Sequence, residues 1–284
     1  MFFSGIADEA SPRLADQIRA HQELGFEHIE LRMVDGKQLT ALSDREFDAV
    51  RSELDAAGLQ VSCFASAIAN WARPISNDLQ TDIDDLERNL TRMQALGCPY
   101  IRVMSWPNAG LSQEEWKDEA VRRMRRLAQI AEQGQVTLVL ENCDGWAAQS
   151  SKHMLEFLRA VDSPALRVVF DTGNAPGHAQ NSLEMYVTVK PYVSYVHIKD
   201  AYLDTDGRAH YVWPSEGHGY VRQILADLVQ SEYGGGVSIE PHLKAVVHEG
   251  KSADTEGQAY QVYVEYGRRL KALVDELQAE RPTP

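Results

Sequence analysis

The chain alternates short, almost entirely apolar runs with longer stretches in which apolar residues recur every three or four positions. Short apolar runs are typical of parallel strands that are buried on both faces, and the longer stretches are typical of amphipathic helices. Eight such pairs follow one another along the 284 residues. Strands that alternate with helices are usually parallel and joined by right-handed crossovers, so the pattern predicts an α/β fold.

Turn-forming residues and helix caps set the predicted element boundaries. The predicted strands cover residues 2–6, 26–31, 59–64, 100–104, 136–141, 166–171, 193–197 and 237–240. The predicted helices cover residues 11–25, 43–57, 81–96, 111–132, 151–161, 183–190, 219–231 and 255–280. Eight pairs predict one (β/α)8 TIM barrel domain over residues 1–284, with residues 281–284 as a frayed tail. An open, doubly wound sheet shares the alternation and is the alternative fold.

Composition narrows the partners that we expect. The chain is 44% hydrophobic and 25% charged, which is ordinary for a globular protein. Its net charge of −14 disfavours nucleic acid and anionic lipid as partners. No apolar stretch reaches the roughly 18 residues of a membrane span, and the first residues lack the features of a signal peptide. The three scattered cysteines, Cys63, Cys98 and Cys143, favour a reducing compartment, so we expect a cytoplasmic protein.

Four of the apolar runs end on a side chain that can bind a metal. These side chains, which we call the strand-end quartet, are Glu141, Asp171, His197 and Glu240. Taken singly, each has an ordinary explanation as an ion-pair partner, a turn cap or a core histidine. In a barrel, however, the carboxyl ends of parallel strands share one mouth, where charged groups are costly to bury unless something pairs with them. Three carboxylates and one imidazole suit a single Mn²⁺, Mg²⁺ or Co²⁺ better than a structural zinc.

The quartet lies in motifs that resemble those of the xylose-isomerase-like barrel superfamily, a group of sugar and sugar-phosphate isomerases and epimerases. The matching pieces are Ile29-Glu30-Leu31, Leu-Glu-Asn (140–142), Phe-Asp-Thr-Gly-Asn (170–174), Val-His-Ile-Lys-Asp (196–200), Glu-Gly-His-Gly (216–219) and Ser-Ile-Glu-Pro (238–241). The resemblance implies that the quartet holds one divalent ion and that its two glutamates exchange a substrate proton. Many relatives carry histidine where Cys143 and Asn174 stand, which leaves the substrate and the reaction type open.

The chemistry that suits this arrangement is proton transfer beside a carbonyl. A bound metal polarises the carbonyl oxygen and stabilises an ene-diolate. One carboxylate then removes the proton and a second returns it, and our hypothesis gives these roles to Glu141 and Glu240. The sequence therefore favours a metal-dependent isomerase or epimerase of a small sugar, keto-sugar or polyol derivative. No basic cluster beside a glycine loop marks a phosphate site, which favours an unphosphorylated substrate.

Further residues are candidates for substrate binding, although an ordinary core or surface role is an alternative for each. Residues 200–219 are expected to form a long loop over the mouth of the barrel, as lids often do. The candidates in that loop, beside the quartet and at the ends of the early strands are Glu30, Trp71, Trp106, Asn174, His178, Lys199, Arg208 and Glu216.

Other functions fit parts of the same pattern. The nearest alternative is a metal-dependent dehydratase or lyase that acts on a keto-inositol or a 3-keto-glycoside, because it also begins with proton removal beside a carbonyl. A barrel endonuclease would need more histidines and a basic groove, which the net charge of −14 disfavours. A non-catalytic binding module would not need an intact quartet. The sequence leaves a homo-oligomer open.

Overall fold

The computed structural model describes residues 1–243 and 256–281. Its main sheet has eight parallel strands: β1 (Phe2–Gly5), β2 (His28–Leu31), β3 (Gln60–Phe64), β4 (Tyr100–Ser105), β5 (Thr137–Gly145), β6 (Leu166–Asp171), β7 (Val193–Ile198) and β8 (Gly236–Ile239). The helices that follow them are α1 (Leu14–Leu24), α2 (Asp44–Ala57), α3 (Leu79–Leu96), α4 (Gln113–Gln133), α5 (Ser151–Val161), α6 (Ser182–Val189), α7 (Val221–Gln230) and α8 (Glu256–Ala279).

The sheet closes almost completely into a barrel. Neighbouring strands follow the order β1-β8-β7-β6-β5-β4-β3-β2, and a parallel bridge between Ile6 and Glu30 joins the two outer strands. An open doubly wound sheet has no such contact between its first and last strands. The predicted (β/α)8 barrel is therefore confirmed, and the open-sheet alternative is wrong.

Local capping explains where the helices begin and end. Helices α2 and α4 each begin with a capping box, Ser43 with Glu46 and Ser112 with Glu115. Helices α1, α2 and α3 each end at a glycine with φ between 64° and 70°. Glycine adopts this left-handed conformation at little cost, which is why the glycines predicted these helix ends correctly.

Side chains fill the barrel interior up to the level of the quartet. Cys63, Val139, Val169 and Tyr195 form a buried cluster between the strands. Val139, Val169 and Tyr195 each lie two residues before a member of the quartet, so they share its inward-facing side of the strand one layer below. The hydroxyl of Tyr195 lies 2.8 Å from Ser62 Oγ within this layer. The quartet therefore lies at the carboxyl-terminal mouth, above a packed floor.

Several predicted boundaries differ from the observed ones. Residues 200–219 were expected to be a loop without structure of its own, but they contain an antiparallel hairpin of Asp200–Leu203 and Ala209–Val212. Helix α7 starts at Val221 instead of residue 219, because Tyr220 has a left-handed conformation with φ 54°. Residue 255 and most of the predicted tail, 282–284, lie outside the described residues.

Smaller elements complete the chain between the strands and helices. They are a second hairpin, Met33–Val34 with Lys37–Gln38, one turn of α-helix at Asn174–Gly177, and 3₁₀ turns at Ala7–Glu9, Leu39–Ala41, Ala147–Gln149 and Lys190–Tyr192. Across the described ranges, every helix is too short or too polar to cross a bilayer.

His21 gives the fold a predicted acid sensitivity. It is fully buried, with Nδ1 2.8 Å from the carbonyl of Gln17 and Nε2 3.3 Å from the hydroxyl of Tyr263 in α8. Burial lowers the pKa of His21 from 6.5 to about 4, so the imidazole is neutral in the folded protein. The unfolded chain binds a proton more readily at this position. The buried, neutral His21 therefore contributes to the stability of the fold above pH 6.5, and this contribution is lost as the pH falls towards 4.

We expect this histidine to remove about 2 kcal/mol from the free energy of unfolding between pH 7 and pH 5. Urea unfolding of the wild type and of His21→Gln at both pH values measures it, because glutamine does not titrate. The glutamine variant should lose less stability on acidification than the wild type. Equal losses in the two proteins would contradict this origin of the acid sensitivity.

Candidate metal and active site

The strand-end quartet meets at the carboxyl-terminal mouth of the barrel. Glu141 lies within β5, which continues to Gly145, Asp171 ends β6, His197 lies one residue before the end of β7, and Glu240 directly follows β8. One donor atom from each lies within 4.8 Å of the other three, and all four side chains are buried. The structure thus brings together the residues that sequence reasoning selected, although their role as metal ligands stays a prediction.

The spacing of the donor atoms suits one shared cation. His197 Nδ1 lies 3.7 Å from Glu141 Oε1, 3.7 Å from Glu240 Oε2 and 4.0 Å from Asp171 Oδ2. Two atoms that each lie about 2.1 Å from a common ion can be at most about 4.2 Å apart. The distances from the imidazole to the three carboxylates fall within that limit.

Unused hydrogen-bonding capacity points to the same conclusion. Glu141 Oε2, Asp171 Oδ2 and His197 Nδ1 are buried and make no hydrogen bond to any part of the chain that the structure describes. Buried polar atoms without a hydrogen bond are rare in native proteins, although two of these three lie near a cation, Asp171 Oδ2 near Lys199 and Glu141 Oε2 near Arg102. Oxygen-rich sites with one imidazole suit Mn²⁺, Mg²⁺ or Co²⁺. The quartet therefore fits a divalent cation by both spacing and chemistry.

Glu30 fixes the orientation of the quartet's histidine. His197 Nε2 lies 3.1 and 3.2 Å from the two carboxylate oxygens of Glu30, and the Ser238 hydroxyl donates to Glu30 Oε2 at 2.6 Å. If Nε2 carries the proton and donates to Glu30, the lone pair of Nδ1 faces the three carboxylates. This is the usual arrangement behind a metal-binding histidine. The structure therefore places Glu30 behind the histidine.

We expect Glu30→Gln to weaken the binding of Mg²⁺ or Mn²⁺ by about 10- to 100-fold, the usual cost of losing such a supporting carboxylate. The amide keeps the shape of the side chain but removes the charge that orients the imidazole. Isothermal titration calorimetry measures the affinity directly. Glu27→Gln is the matched control, because Glu27 lies just before the same strand and is exposed. Equal affinities in the two variants would show that Glu30 does not support the site.

The Asp-Thr-Gly-Asn motif orients Asp171. Its Oδ1 accepts hydrogen bonds from the backbone N–H groups of Gly173 and Asn174, both at 2.8 Å. The side chain of Asn142 bonds both backbone groups of Asp171, at 2.7 and 2.9 Å, and so ties β5 to β6. Asn174 also donates from Nδ2 to Glu141 Oε1 at 3.0 Å. These bonds leave Asp171 Oδ2 directed towards the centre of the quartet.

Three buried cations accompany the three carboxylates. Lys199 Nζ lies 3.0 Å from Glu240 Oε2 and 3.1 Å from Asp171 Oδ2. Arg32 Nη1 donates to Glu240 Oε1 at 3.2 Å. Arg102 Nη1 lies 3.4 Å from Glu141 Oε2. Lys199 was predicted from the sequence as a site residue, whereas Arg32 and Arg102 were not.

These cations determine how the two glutamates ionise. Burial by itself would raise the pKa of Glu141, but Arg102 and His197 outweigh it and hold the pKa below its usual range. Burial likewise opposes the ionisation of Glu240, yet Lys199 and other nearby positive groups lower its pKa well below normal. Both glutamates are therefore ionised at neutral pH and can accept a proton.

A cleft opens beside the quartet above β2, β3 and β4. Its lining includes Arg32, Ser66, Asn70, Trp71 and Arg102. Two of these residues connect the cleft to the quartet, because Arg32 contacts Glu240 and Arg102 contacts Glu141. Trp71 lies in the cleft wall, in line with its selection from the sequence.

The other residues selected from the sequence have different surroundings. His178 is exposed, and its Nε2 lies 2.9 Å from the carbonyl of Cys143. Trp106 is fully buried in the core and donates from Nε1 to Asp82 at 2.7 Å. Neither side chain is a member of the candidate metal group, so a role in substrate binding stays a prediction for each.

The hairpin and the loop after it place two more candidates at the surface. Arg208 is exposed beside the hairpin turn. Glu216 is exposed and lies 3.4 Å from Arg269 of α8. The neighbouring Glu-Gly-His-Gly motif is held by Asp200, which accepts hydrogen bonds from the N–H groups of Gly217 and Gly219 at 3.0 and 2.8 Å. The motif therefore anchors the loop next to the hairpin, and substrate contacts of Arg208 and Glu216 stay predictions.

The chain matches one known protein family. Residues 18–273 match the family described as Xylose isomerase-like TIM barrel. A curated relative, 3-oxo-isoapionate decarboxylase of Pectobacterium atrosepticum, is 26% identical over 169 residues, which are 60% of this chain and 54% of that enzyme. This chain thus spans about half the length of the curated relative that it matches.

Solved structures share the fold at low sequence identity. The probable 3-DHS dehydratase AsbF of Bacillus anthracis is 19% identical with a TM-score of 0.73, covering 95% of this chain and 99% of that one. A D-allulose 3-epimerase of Methylomonas sp. is 16% identical with a TM-score of 0.73, covering 96% and 98%. A Mycobacterium smegmatis barrel solved with magnesium is 20% identical with a TM-score of 0.69, covering 98% and 97%. At such identities the likeness shows the fold alone.

Proposed function

This chain belongs to the xylose isomerase-like TIM barrel family, and we propose that it is a divalent-metal-dependent isomerase or epimerase of a small sugar, keto-sugar or polyol derivative. The observation that carries the proposal is the buried convergence of the strand-end quartet, three of whose polar atoms make no hydrogen bond among the described residues. One Mn²⁺, Mg²⁺ or Co²⁺ is the proposed cofactor. The magnesium in the related M. smegmatis barrel supports that choice.

The two glutamates are the proposed proton carriers. Glu141 and Glu240 come from β5 and from the end of β8, the first and last strands of the four that supply the quartet. They therefore flank the group from opposite sides, and both are ionised. When bound, the cation would polarise a substrate carbonyl and acidify the adjacent C–H bond. One glutamate removes that proton and the other returns it to the other face or the neighbouring carbon.

Other residues of the chain hold this pair in place. Asp171 and His197 supply the remaining donors, and Lys199 balances the charge of Asp171 and Glu240. Asn174 fixes Glu141 through its 3.0 Å hydrogen bond. We propose that Lys199 and Asn174 also contact substrate hydroxyls, because both polar groups lie at the inner rim of the quartet.

The names of the related enzymes indicate different reactions. One is an epimerase, one a probable dehydratase and one a decarboxylase. Proton removal beside a carbonyl can begin the first two reactions, and they diverge when a leaving group lies next to the resulting carbanion. The alternative that the sequence left open, a metal-dependent dehydratase or lyase on a keto-inositol or a 3-keto-glycoside, begins with the same proton removal.

Proton NMR in heavy water separates these functions. The Mg²⁺-loaded protein is incubated with a panel of ketoses, keto-inositols and 3-keto-glycosides. An isomerase or epimerase introduces deuterium at carbon and yields an isomer without loss of water or aglycone. Loss of water or aglycone would contradict the proposal and support the lyase. Absence of any exchange or conversion across the panel would contradict both.

A further inference from the structure

Two buried arginines in the cleft point to the charge of the substrate. We propose that Arg32 and Arg102 bind the carboxylate group of an acidic, hydroxylated substrate. The inference rests on the proposed function, because it narrows the substrate class of the same site. It changes the sequence-based expectation, which specified no charged group on the substrate.

The two arginines connect the cleft to the quartet. Both line the cleft, and their exposed fractions are only 8% for Arg32 and 3% for Arg102. Arg32 donates to Glu240 at 3.2 Å, and Arg102 lies 3.4 Å from Glu141. A substrate anion held by these guanidinium groups would therefore lie directly beside the two proposed proton carriers.

Each arginine has one buried donor that makes no hydrogen bond within the described residues. Arg32 Nη2 and Arg102 Nε are buried and have no hydrogen-bond partner within residues 1–243 and 256–281. Arg32 Nη2 forms an ion pair with Glu9 Oε1 at 3.5 Å, but it makes no hydrogen bond there. Unsatisfied donors on a buried charged group are costly. A carboxylate offers two acceptor oxygens, and its bonds to guanidinium groups are among the stronger ones in proteins.

The surrounding charges favour one negative charge over two. Arg32 is already paired with Asp8, Glu9 and Glu240. Arg102 has Glu141 as its ion-pair partner. These acids outnumber the two arginines, so each negative charge on a ligand adds repulsion. A phosphate dianion would meet more repulsion from Asp8, Glu9 and Glu240, so we commit to the carboxylate.

The rest of the lining suits a hydroxylated carbon chain. Thr40, Ser66 and Asn70 supply hydroxyl and amide groups, and Trp71 supplies an aromatic face. Polar groups among apolar walls orient small ligands, and aromatic rings pack against the C–H faces of polyols. The cleft therefore fits a sugar acid or a hydroxylated keto acid.

Matched probes test the charge without requiring turnover. Isothermal titration calorimetry of the Mg²⁺-loaded protein compares D-gluconate with D-sorbitol, D-ribonate with ribitol, and L-threonate with L-threitol. Sorbitol 6-phosphate tests the phosphate alternative. We expect at least one acid to bind about tenfold or more tightly than its alditol. Arg102→Met and Arg32→Met should each weaken the binding of that acid by about 10- to 100-fold and weaken the binding of the alditol less, so that the preference for the acid falls.

Arg92→Met is the matched control. Arg92 is equally buried but bonds the carbonyl of Leu42 outside the cleft, so its loss should not change the preference for the acid. If the methionine variants do not fold, Arg32→Lys and Arg102→Lys replace them. Lysine keeps the positive charge but lacks the planar guanidinium group, which donates two parallel hydrogen bonds to a carboxylate. The affinity for the acid should therefore still fall.

Three results would overturn the inference. They are equal binding of acids and alditols, tighter binding of the phosphate ester than of gluconate, and no acid that binds below about 1 mM. A separate Mg²⁺ titration tests the proposed function in the same samples. Mg²⁺ binding without a preference for acids would refute the carboxylate site alone. A preference for acids without Mg²⁺ binding would refute the metal-dependent function and leave the carboxylate site standing.

Discussion

Replacing Glu240 with glutamine is expected to lower kcat by about 10²- to 10⁴-fold, the usual contribution of a positioned acid–base group. The amide keeps the shape of the side chain but cannot accept a proton. The same loss is expected for Glu141→Gln, because Asn174 and Arg102 hold that carboxylate as Lys199 and Arg32 hold Glu240. The effect is measured as the rate of deuterium incorporation into a keto-sugar that the wild-type protein converts.

Both glutamates are also candidate ligands, so metal affinity is measured on the same samples. Calorimetry with Mg²⁺ separates a variant that has lost the cation from one that has lost only proton transfer. Glu27→Gln is the control, since this exposed glutamate precedes β2 and should retain full turnover. Full turnover in Glu141→Gln or in Glu240→Gln, with metal still bound, would remove that glutamate from the chemistry.

Loading the quartet with a divalent ion should raise the stability of the protein substantially. A cation that binds only the folded state adds about 2.7 kcal/mol when its concentration is 100 times Kd. In a chain of 284 residues that corresponds to a rise in Tm of about 4–5 °C. Thermal unfolding with saturating Mn²⁺ or Mg²⁺, compared with unfolding in chelator, measures the rise.

Asp171→Ala should abolish this stabilisation. The substitution removes one of the donors and leaves Lys199 beside Glu240 without its second acid. Asp118→Ala serves as the control, because Asp118 is an exposed acid in α4 and should leave the metal-induced rise intact. An undiminished rise in Asp171→Ala would show that the ion binds elsewhere.

The barrel and the quartet could be predicted from sequence because both follow from a simple repeat. Each strand is buried on both faces, so its apolar run stands out, and a charged residue at its end marks the mouth. The ends of α1, α2 and α3 could also be predicted, because the glycine that follows each helix adopts a left-handed conformation that few other residues tolerate.

The arginines were missed because their signals were weaker. Arg102 lies within β4 between Ile101 and Val103, and a charge inside a buried strand can signal an inward-facing functional group. Arg32 directly follows Leu31 at the end of β2, as Glu240 directly follows β8. Sequence order does not show that both arginines approach glutamates more than 30 residues away. That proximity depends on closure of the barrel.

The hairpin of residues 200–212 was missed for a different reason. Its strands read Asp-Ala-Tyr-Leu and Ala-His-Tyr-Val and are only four residues each, separated by polar turn residues. Short, partly exposed strands carry little apolar periodicity. The hairpin is defined by cross-strand pairing, such as the stacking of Tyr202 on His210 at 5.3 Å, which sequence alone does not reveal.

Glu30 has two attachments that link the integrity of the barrel to its chemistry. Its backbone bridges to Ile6 where the first and second strands meet, and its carboxylate holds His197. Local opening of the contact between these two strands would turn the imidazole of His197 away from its three acidic neighbours. Conversely, a cation bound to those neighbours would stabilise the closure of the barrel between its first and second strands. The amide hydrogens of Ile6 and Glu30 would then exchange more slowly with solvent.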